Sequence, residues 1–228
     1  MQEHEGQEGR ACAPYRVDPT GFNHQVSLTC GLTIDHLRAT MGEFVEFLGF
    51  INQQLHTRGT SRLESMLMPA NFSSIVGEFM SANIPKHCPT LVKNQYHNGH
   101  PDLIPTGQFP QNAVQHSSEG IEVKGSRYLR GWQGHNPEDC WLIVFIFDSN
   151  RPRDTTTGVP PRPFRFVQVL GARLNREDWL FAGRSGASRR TITASVTTSG
   201  YEKMIQNWIY RDPRRGGVVG AEAELEEA

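Results

Sequence analysis

Three residues near the middle of the chain have the types and spacing that hydrolysis needs. Asp102 follows Pro101 in "PDLI", and Glu122 and Lys124 stand two apart in "GIEVKG". Residues i and i+2 of a β-strand project from one face. Glu122 and Lys124 therefore share a surface, while Ile121 and Val123 point the other way into a core. If the short strand that starts at Asp102 pairs with this one, a second carboxylate joins them. Magnesium takes oxygen ligands, usually one or two carboxylates completed by water and substrate phosphate. A lysine beside such an ion orients a water, stabilises its hydroxide form or offsets charge growing on a phosphate. Two carboxylates and one amine then suffice for a phosphodiesterase. The plainer alternative is a turn cap at Asp102 and a solvated edge-strand face at Glu122 and Lys124.

Such a site needs a sheet to carry it and helices to cover that sheet. Leu37, Met41, Phe44, Val45, Leu48, Ile51 and Leu55 recur at helical spacing. A second helix follows Pro69, with Asn71 as N-cap, a stripe of Phe72, Ile75, Val76, Phe79 and Met80, and Pro85 as its end. The period then changes. Leu91 to Tyr96, Asp102 to Ile104 and Gly120 to Lys124 read as short strands set apart by Gly, Pro and Asn. Every residue from Trp141 to Phe147 is apolar, as in a central strand covered on both faces. "RFVQVLGARL" and the alternating "TITASVT" are further strands, and Tyr201, Met204, Ile205, Trp208 and Ile209 form the stripe of a closing helix. The fold class expected is α/β, a mixed central sheet flanked by helices in one domain over residues 15–215. Residues 1–14 and 216–228 read as disordered acidic tails.

"PD" at Pro101-Asp102, followed by "EVK" at Glu122-Val123-Lys124, resembles the PD-(D/E)XK nuclease superfamily, whose best-known members are type II restriction endonucleases. The resemblance covers about residues 71–147. It implies a restriction-endonuclease-like sheet, divalent metal held by Asp102, Glu122 and Val123, and a Lys124 that assists the attacking water. It also implies Mg2+ with Mn2+ as substitute, double-stranded DNA as substrate, a homodimer and a companion DNA methyltransferase. Many members carry a glutamate on the preceding helix; Glu78, off the apolar stripe, is the candidate, and Glu64 is its rival. The sequence departs from the pattern between the lysine strand and the next strand, where "GSRYLRGWQGHNPED" leaves room for only a short helix or a loop. Two other readings stay open: a repair, recombination or modification-dependent defence nuclease of the same fold, and a non-catalytic nucleic-acid-binding module.

The overall charge of −1 conceals a basic body. Glu3, Glu5 and Glu8 at one end and Glu222, Glu224, Glu226 and Glu227 at the other meet no Lys or Arg there. Between Arg151 and Arg190 lie nine arginines and no lysine, a bias toward an anionic partner or a solvated loop. Arg184, Ser185, Ser188, Arg189 and Arg190 form a glycine-containing stretch suited to reading bases or neutralising phosphates, and Arg127 and Arg130 are placed to grip the backbone near the site. His97, His100, His116 and His135 read as loop or site-lining residues, and Trp132 and Trp179 as core. Four cysteines without short spacing indicate neither a zinc site nor a disulfide framework. No apolar run is long enough for a membrane and no signal segment opens the chain, so the cytoplasm is the expected location.

Overall fold

The structure is a computed structural model that describes residues 2–134, 136–181 and 193–214. In chain order the helices are α1 (Gln2–Ala11), α2 (Ile34–His56), α3 (Leu63–Met66), α4 (Pro69–His87), α5 (Asp154–Thr157) and α6 (Thr198–Gln206). The strands are β1 (Leu91–Lys93), β2 (Leu103–Pro105), β3 (Ile121–Ser126), β4 (Gln133–Gly134), β5 (Cys140–Asp148), β6 (Arg165–Leu174), β7 (Trp179–Phe181), β8 (Ala194–Val196) and β9 (Trp208–Arg211). Six of these strands form a mixed sheet in the order β1-β2-β3-β5-β6-β9. Only β3 and β5 run parallel. The other three make a small antiparallel sheet, β4-β8-β7. The chain is thus one α/β domain with its sheet flanked by helices.

The apolar run anticipated as a central strand is β5, bonded to β3 on one side and β6 on the other. Its alternate residues feed two cores. Ile143, Phe145 and Phe147 join the helix side with Phe44, Phe72, Val76 and Met80. Leu142, Val144 and Ile146 face Trp132, Trp179, Ala194 and Met204 on the side of the small sheet. A strand that must satisfy both cores reads as continuously apolar because neither face sees water. Trp132 and Trp179 are buried, as expected.

Helix α2 begins where Thr33 caps it: its Oγ1 accepts from His36 N at 3.3 Å while His36 Nδ1 accepts from Thr33 N at 3.2 Å. The N-cap of α4 is Met68, which makes no side-chain cap bond, and Pro69 at the first helical position carries no N–H and has its φ preset for the helix. Asn71 accordingly sits inside the first turn, and Pro85 lies in the last turn, which runs on to His87. Helix α4 packs on β3, and Gly125 lets it approach. A Cβ there would stand 2.4 Å from Ser73 O and 2.8 Å from Val76 Cβ.

Two expectations about the ends are corrected. The acidic start is not a tail: α1 forms, Glu8 Oε2 pairs with Arg62 Nε at 2.8 Å, and Cys12 is buried. Arg62, with its side chain only 2% exposed, needs that second carboxylate beside Glu64. The closing helix stops at Gln206, and Trp208 and Ile209 belong instead to β9, which adds to the sheet edge along β6. The expected tail 216–228 lies outside the described residues.

Substitution Gly125→Ala should lower stability by about 1–3 kcal/mol, because the added methyl meets helix backbone rather than a yielding side chain. Gly42→Ala, where a Cβ meets nothing within 4 Å on the α2 surface, should instead gain about 0.5–1 kcal/mol. Urea denaturation of both variants checks the pair.

Candidate active site

Strand β3 pairs with β5 along its whole length, from Ile121↔Trp141 to Ser126↔Ile146, but with β2 only at Leu103↔Ile121. Past that point its second edge is open. Val123 N–H, which a longer β2 would have bonded, donates to Asp102 Oδ2 at 2.9 Å. Asp102 thereby sits at the free edge between Glu122 and Lys124. The turn that delivers it is closely fixed. Asn94 N donates to Asp102 O at 2.8 Å, and Asn94 Nδ2 donates to Pro101 O at 3.1 Å and Val114 O at 2.8 Å. Gly120, at φ +132°, lets β3 start against this turn: a Cβ would lie 2.2 Å from Leu103 O and 2.6 Å from Pro101 Cγ.

Glu122 and Lys124 share a face as expected, with Lys124 Nζ donating to Glu122 Oε1 at 3.0 Å. The other carboxylate oxygen, Oε2, is 3.0 Å from His100 Nδ1, and His100 Nε2 is 2.7 Å from Glu138 Oε2. The ring thus stands in ion-pair contact with a carboxylate on each side. His100 is also stacked on His116, with centroids 5.5 Å apart and planes at 20°.

The electrostatics follow from burial. Asp102 is pushed up to about 7 by desolvation and by Glu122, against the opposing pull of Val123 N–H and Lys124. Against its own burial, Glu122 is held down at about 2 by Lys124 and His100. Burial favours the neutral ring of His100, but Cys140, Glu122 and Glu138 raise it to about 11. Lys124, despite desolvation, is raised by Glu122 and Asp102. Charges of alternating sign thus run from Glu138 through His100 and Glu122 to Lys124, and Asp102 makes no ion pair among the described residues.

Two clefts meet at this cluster. One, of about 780 Å³, is lined by Tyr96, His116, Glu138 and Trp179. The other, of about 750 Å³, runs between α4 and the segment from Tyr128 to Gln133. Glu78, Asp102, Glu122 and Lys124 line both. Glu78 stands at the rim, its side chain 69% exposed and paired with Lys93 Nζ at 2.7 Å. Its rival Glu64 is fully buried, bonded to Arg62 and Asn52, and lines neither cleft.

The site could accept a cation in one way. Asp102 and Glu122 offer carboxylate oxygens. Val123 is a buried apolar side chain, so only its backbone carbonyl, on the edge facing Gly77, is open to such a role. Among the described residues no group of three or more His, Cys, Asp and Glu side chains is arranged to hold a metal. Two carboxylates with a carbonyl and water remain within what magnesium takes. A pair of buried carboxylates, one of them making no ion pair among the described residues, also fits a cation by its chemistry.

Arg127 does not grip a backbone. Its guanidinium donates to Ser149 O at 2.8 Å and Asn150 O at 3.1 Å and lies over the rings of Phe147 and Phe72, which lowers it to about 10 mainly by desolvation. Arg130 is exposed between Tyr128 and Gly131, which border the second cleft. The arginine excess after Arg151 goes partly into internal pairs: Arg162 and Arg165 bond Asp148, and Arg173 donates to Ser118 O. Arg184, Ser185, Ser188, Arg189 and Arg190, with His135, lie outside the described residues. Among the described residues no helix occurs between Arg127 and Asp139; the connection supplies β4 instead. No described helix is long and apolar enough to cross a membrane. Sequence reasoning missed Asn94 and Glu138, which sit in irregular segments and carry no periodic signal.

In comparisons with known proteins, no family model, no curated protein and no solved structure matches the chain.

Because Asp102 has a raised folded-state pKa, the native state binds a proton that the unfolded chain releases near 3.8. Its ionisation therefore costs stability increasingly as pH rises from about 4 to about 7, and the cost is constant above that. Asp102→Asn, which keeps an acceptor for Val123 N–H, should be more stable to unfolding than wild type in chelator, by on the order of a few kcal/mol at pH 8 and by much less at pH 4, and should melt correspondingly higher. Thermal melting across pH checks this. Equal melting at pH 8 would contradict the assignment.

Proposed function

We propose that this protein is a magnesium-dependent DNA endonuclease of restriction-endonuclease-like fold, hydrolysing phosphodiester bonds of double-stranded DNA. One observation carries the reading: Asp102, Glu122 and Lys124 converge at the open edge of β3, with Asp102 bonded to the residue between the other two. The order of helix, hairpin, lysine strand and buried central strand agrees with the PD-(D/E)XK resemblance. The charge of the first cleft adds support. Glu78, Asp102, Glu122 and Glu138 line it against Lys93, Lys124 and His100. A phosphate backbone meets carboxylates there and needs a bridging cation.

Asp102, Glu122 and the Val123 carbonyl would hold the ion. Bound magnesium supplies a Lewis acid for the scissile phosphate and a lower pKa for water. Lys124 would stand beside these ligands as a donor of hydrogen bonds and positive charge, and in the metal-free chain Glu122 and Asp102 raise its pKa. From one edge of the site it orients the attacking water and offsets charge developing on the phosphate. Glu122 fixes the amine that does this, through the 3.0 Å contact. Glu78 borders the same space and adds negative potential at Asp102. In the restriction-type form, two copies cut the two strands of a twofold site, and a companion methyltransferase protects the host sequence.

A second reading draws on one specific feature. Both oxygens of Glu122 already face cations, Lys124 and His100, which also suits a closed structural network in a non-catalytic DNA-binding module.

Incubation of plasmid and phage DNA with Mg2+, Mn2+ or chelator separates the readings. The nuclease gives metal-dependent cutting, and Lys124→Ala slows it by about 10²–10³-fold while gel-shift binding of DNA persists. Discrete fragments from unmodified plasmid mean sequence recognition. Cutting confined to modified or branched DNA moves the activity to a defence or repair nuclease of the same fold. Binding with no cutting under any metal leaves the module.

A further inference from the structure

Behind Glu122 the charged row continues into side chains to which hydrolysis gives no part. Lys124 alone already pairs with Glu122 Oε1. Yet Oε2 meets a second partner, His100 Nδ1 at 3.0 Å, and the far side of that ring meets Glu138 Oε2 at 2.7 Å. The three side chains are 15%, 17% and 14% exposed in the order Glu122, His100, Glu138, far less than surface ion pairs such as Glu78 with Lys93.

The imidazole is also held more firmly than charge balance requires. His100 N donates to Gln115 O at 3.0 Å, its carbonyl accepts from Ser117 N at 2.9 Å, and its ring is stacked on His116. Glu138 is fixed from its own backbone: its carbonyl accepts from Trp179 Nε1 at 2.9 Å. The result is a stiff bar between two carboxylates, one of which lines both clefts and one only the first.

We infer that His100, backed by Glu138, is a positioning residue for Glu122: it fixes the rotation of that carboxylate so that the lone pairs not facing Lys124 and His100 stay on the side shared with Asp102. A carboxylate free to rotate would close onto Lys124 alone and meet a cation at greater cost. Groups that orient a ligand in this way set its affinity for metal, typically by about 10–100-fold. The inference rests on the proposed nuclease reading, since it gives Glu122 a cation to meet.

The test uses the full chain, with Mn2+ as probe, calorimetry as the binding readout and thermal melting as the fold control. His100→Ala removes both contacts and should weaken Mn2+ binding about tenfold or more. His100→Asn places a side-chain N–H where Nδ1 stands and should restore most of that loss. Glu138→Gln keeps the shape, removes the charge behind the ring, and should weaken binding several-fold. Cleavage by these variants should recover as metal is raised, whereas that of Lys124→Ala should not. A folded His100→Ala chain that binds Mn2+ as wild type does overturns the positioning role. If that variant does not fold, wild-type Mn2+ binding by Glu138→Gln overturns it equally. Failure of wild type itself to bind Mn2+ removes the nuclease reading, and the positioning role with it.

Discussion

The site depends on a single unmatched backbone N–H. Strand β2 leaves β3 after one residue pair, while β5 follows β3 to its end, so Val123 N–H has no strand partner. A buried orphan donor costs about 1–3 kcal/mol. Asp102 supplies the acceptor, and in doing so its carboxylate is brought down beside Glu122. A longer hairpin would satisfy the backbone equally well through a strand carbonyl, without concentrating negative charge. This geometry solves a hydrogen-bonding problem with a carboxylate, and so creates an electrostatic one.

That second problem is only half solved within the chain. Glu122 has cations on both oxygens and remains ionised; Asp102 has a hydrogen bond and a neighbouring anion, and its proton affinity rises. Two buried carboxylates at one strand edge cannot both be charged cheaply without a further positive charge. The asymmetry is informative. A network built purely for stability pairs each buried charge, as Arg62 does with Glu8, Glu64 and Asn150 elsewhere in the molecule. The cluster around Asp102 leaves that carboxylate without an ion pair among the described residues, where two clefts open onto it.

How far this was legible in the sequence depended on whether each signal was local. The i, i+2 spacing of Glu122 and Lys124, the apolar run of β5 and the stripe of α2 are local patterns, and the structure has each of them. Helix α1 was not legible, because Gly and Glu composition argues for a tail and the partner that holds Glu8, Arg62, lies 54 residues away. Arg127 was misread for a related reason. An arginine after a candidate lysine strand looks free for phosphate, but Phe72 and Phe147 form a platform for it that only the folded core assembles. Strand β9 was read as helix since Trp208 and Ile209 extend the stripe of α6, and pairing with β6 overrode that periodicity. His100 and Glu138 were the hardest to place, being single residues in loops joined only across the sheet.

The small sheet explains why such loops can hold a site at all. The parallel pairing of β3 with β5 demands a crossover, and here the crossover contributes β4 rather than a helix. Pairing of β4 with β8, and of β8 with β7, buries Trp132 and Trp179 against the outer face of β5. From that position Trp179 Nε1 bonds the Glu138 carbonyl, and Arg176 N donates to Asp139 Oδ1 at 3.0 Å, so the segment entering β5 is tied down just where Glu138 projects. The donors that fix the far end of the charged row, Trp179 Nε1 and Arg176 N, come from β7 and the turn before it, and the near end is fixed by β3 itself. Glu122 is thereby constrained from both directions: through its backbone by the sheet, and through its carboxylate by a ring set between His116 and a Glu138 whose backbone carbonyl Trp179 holds.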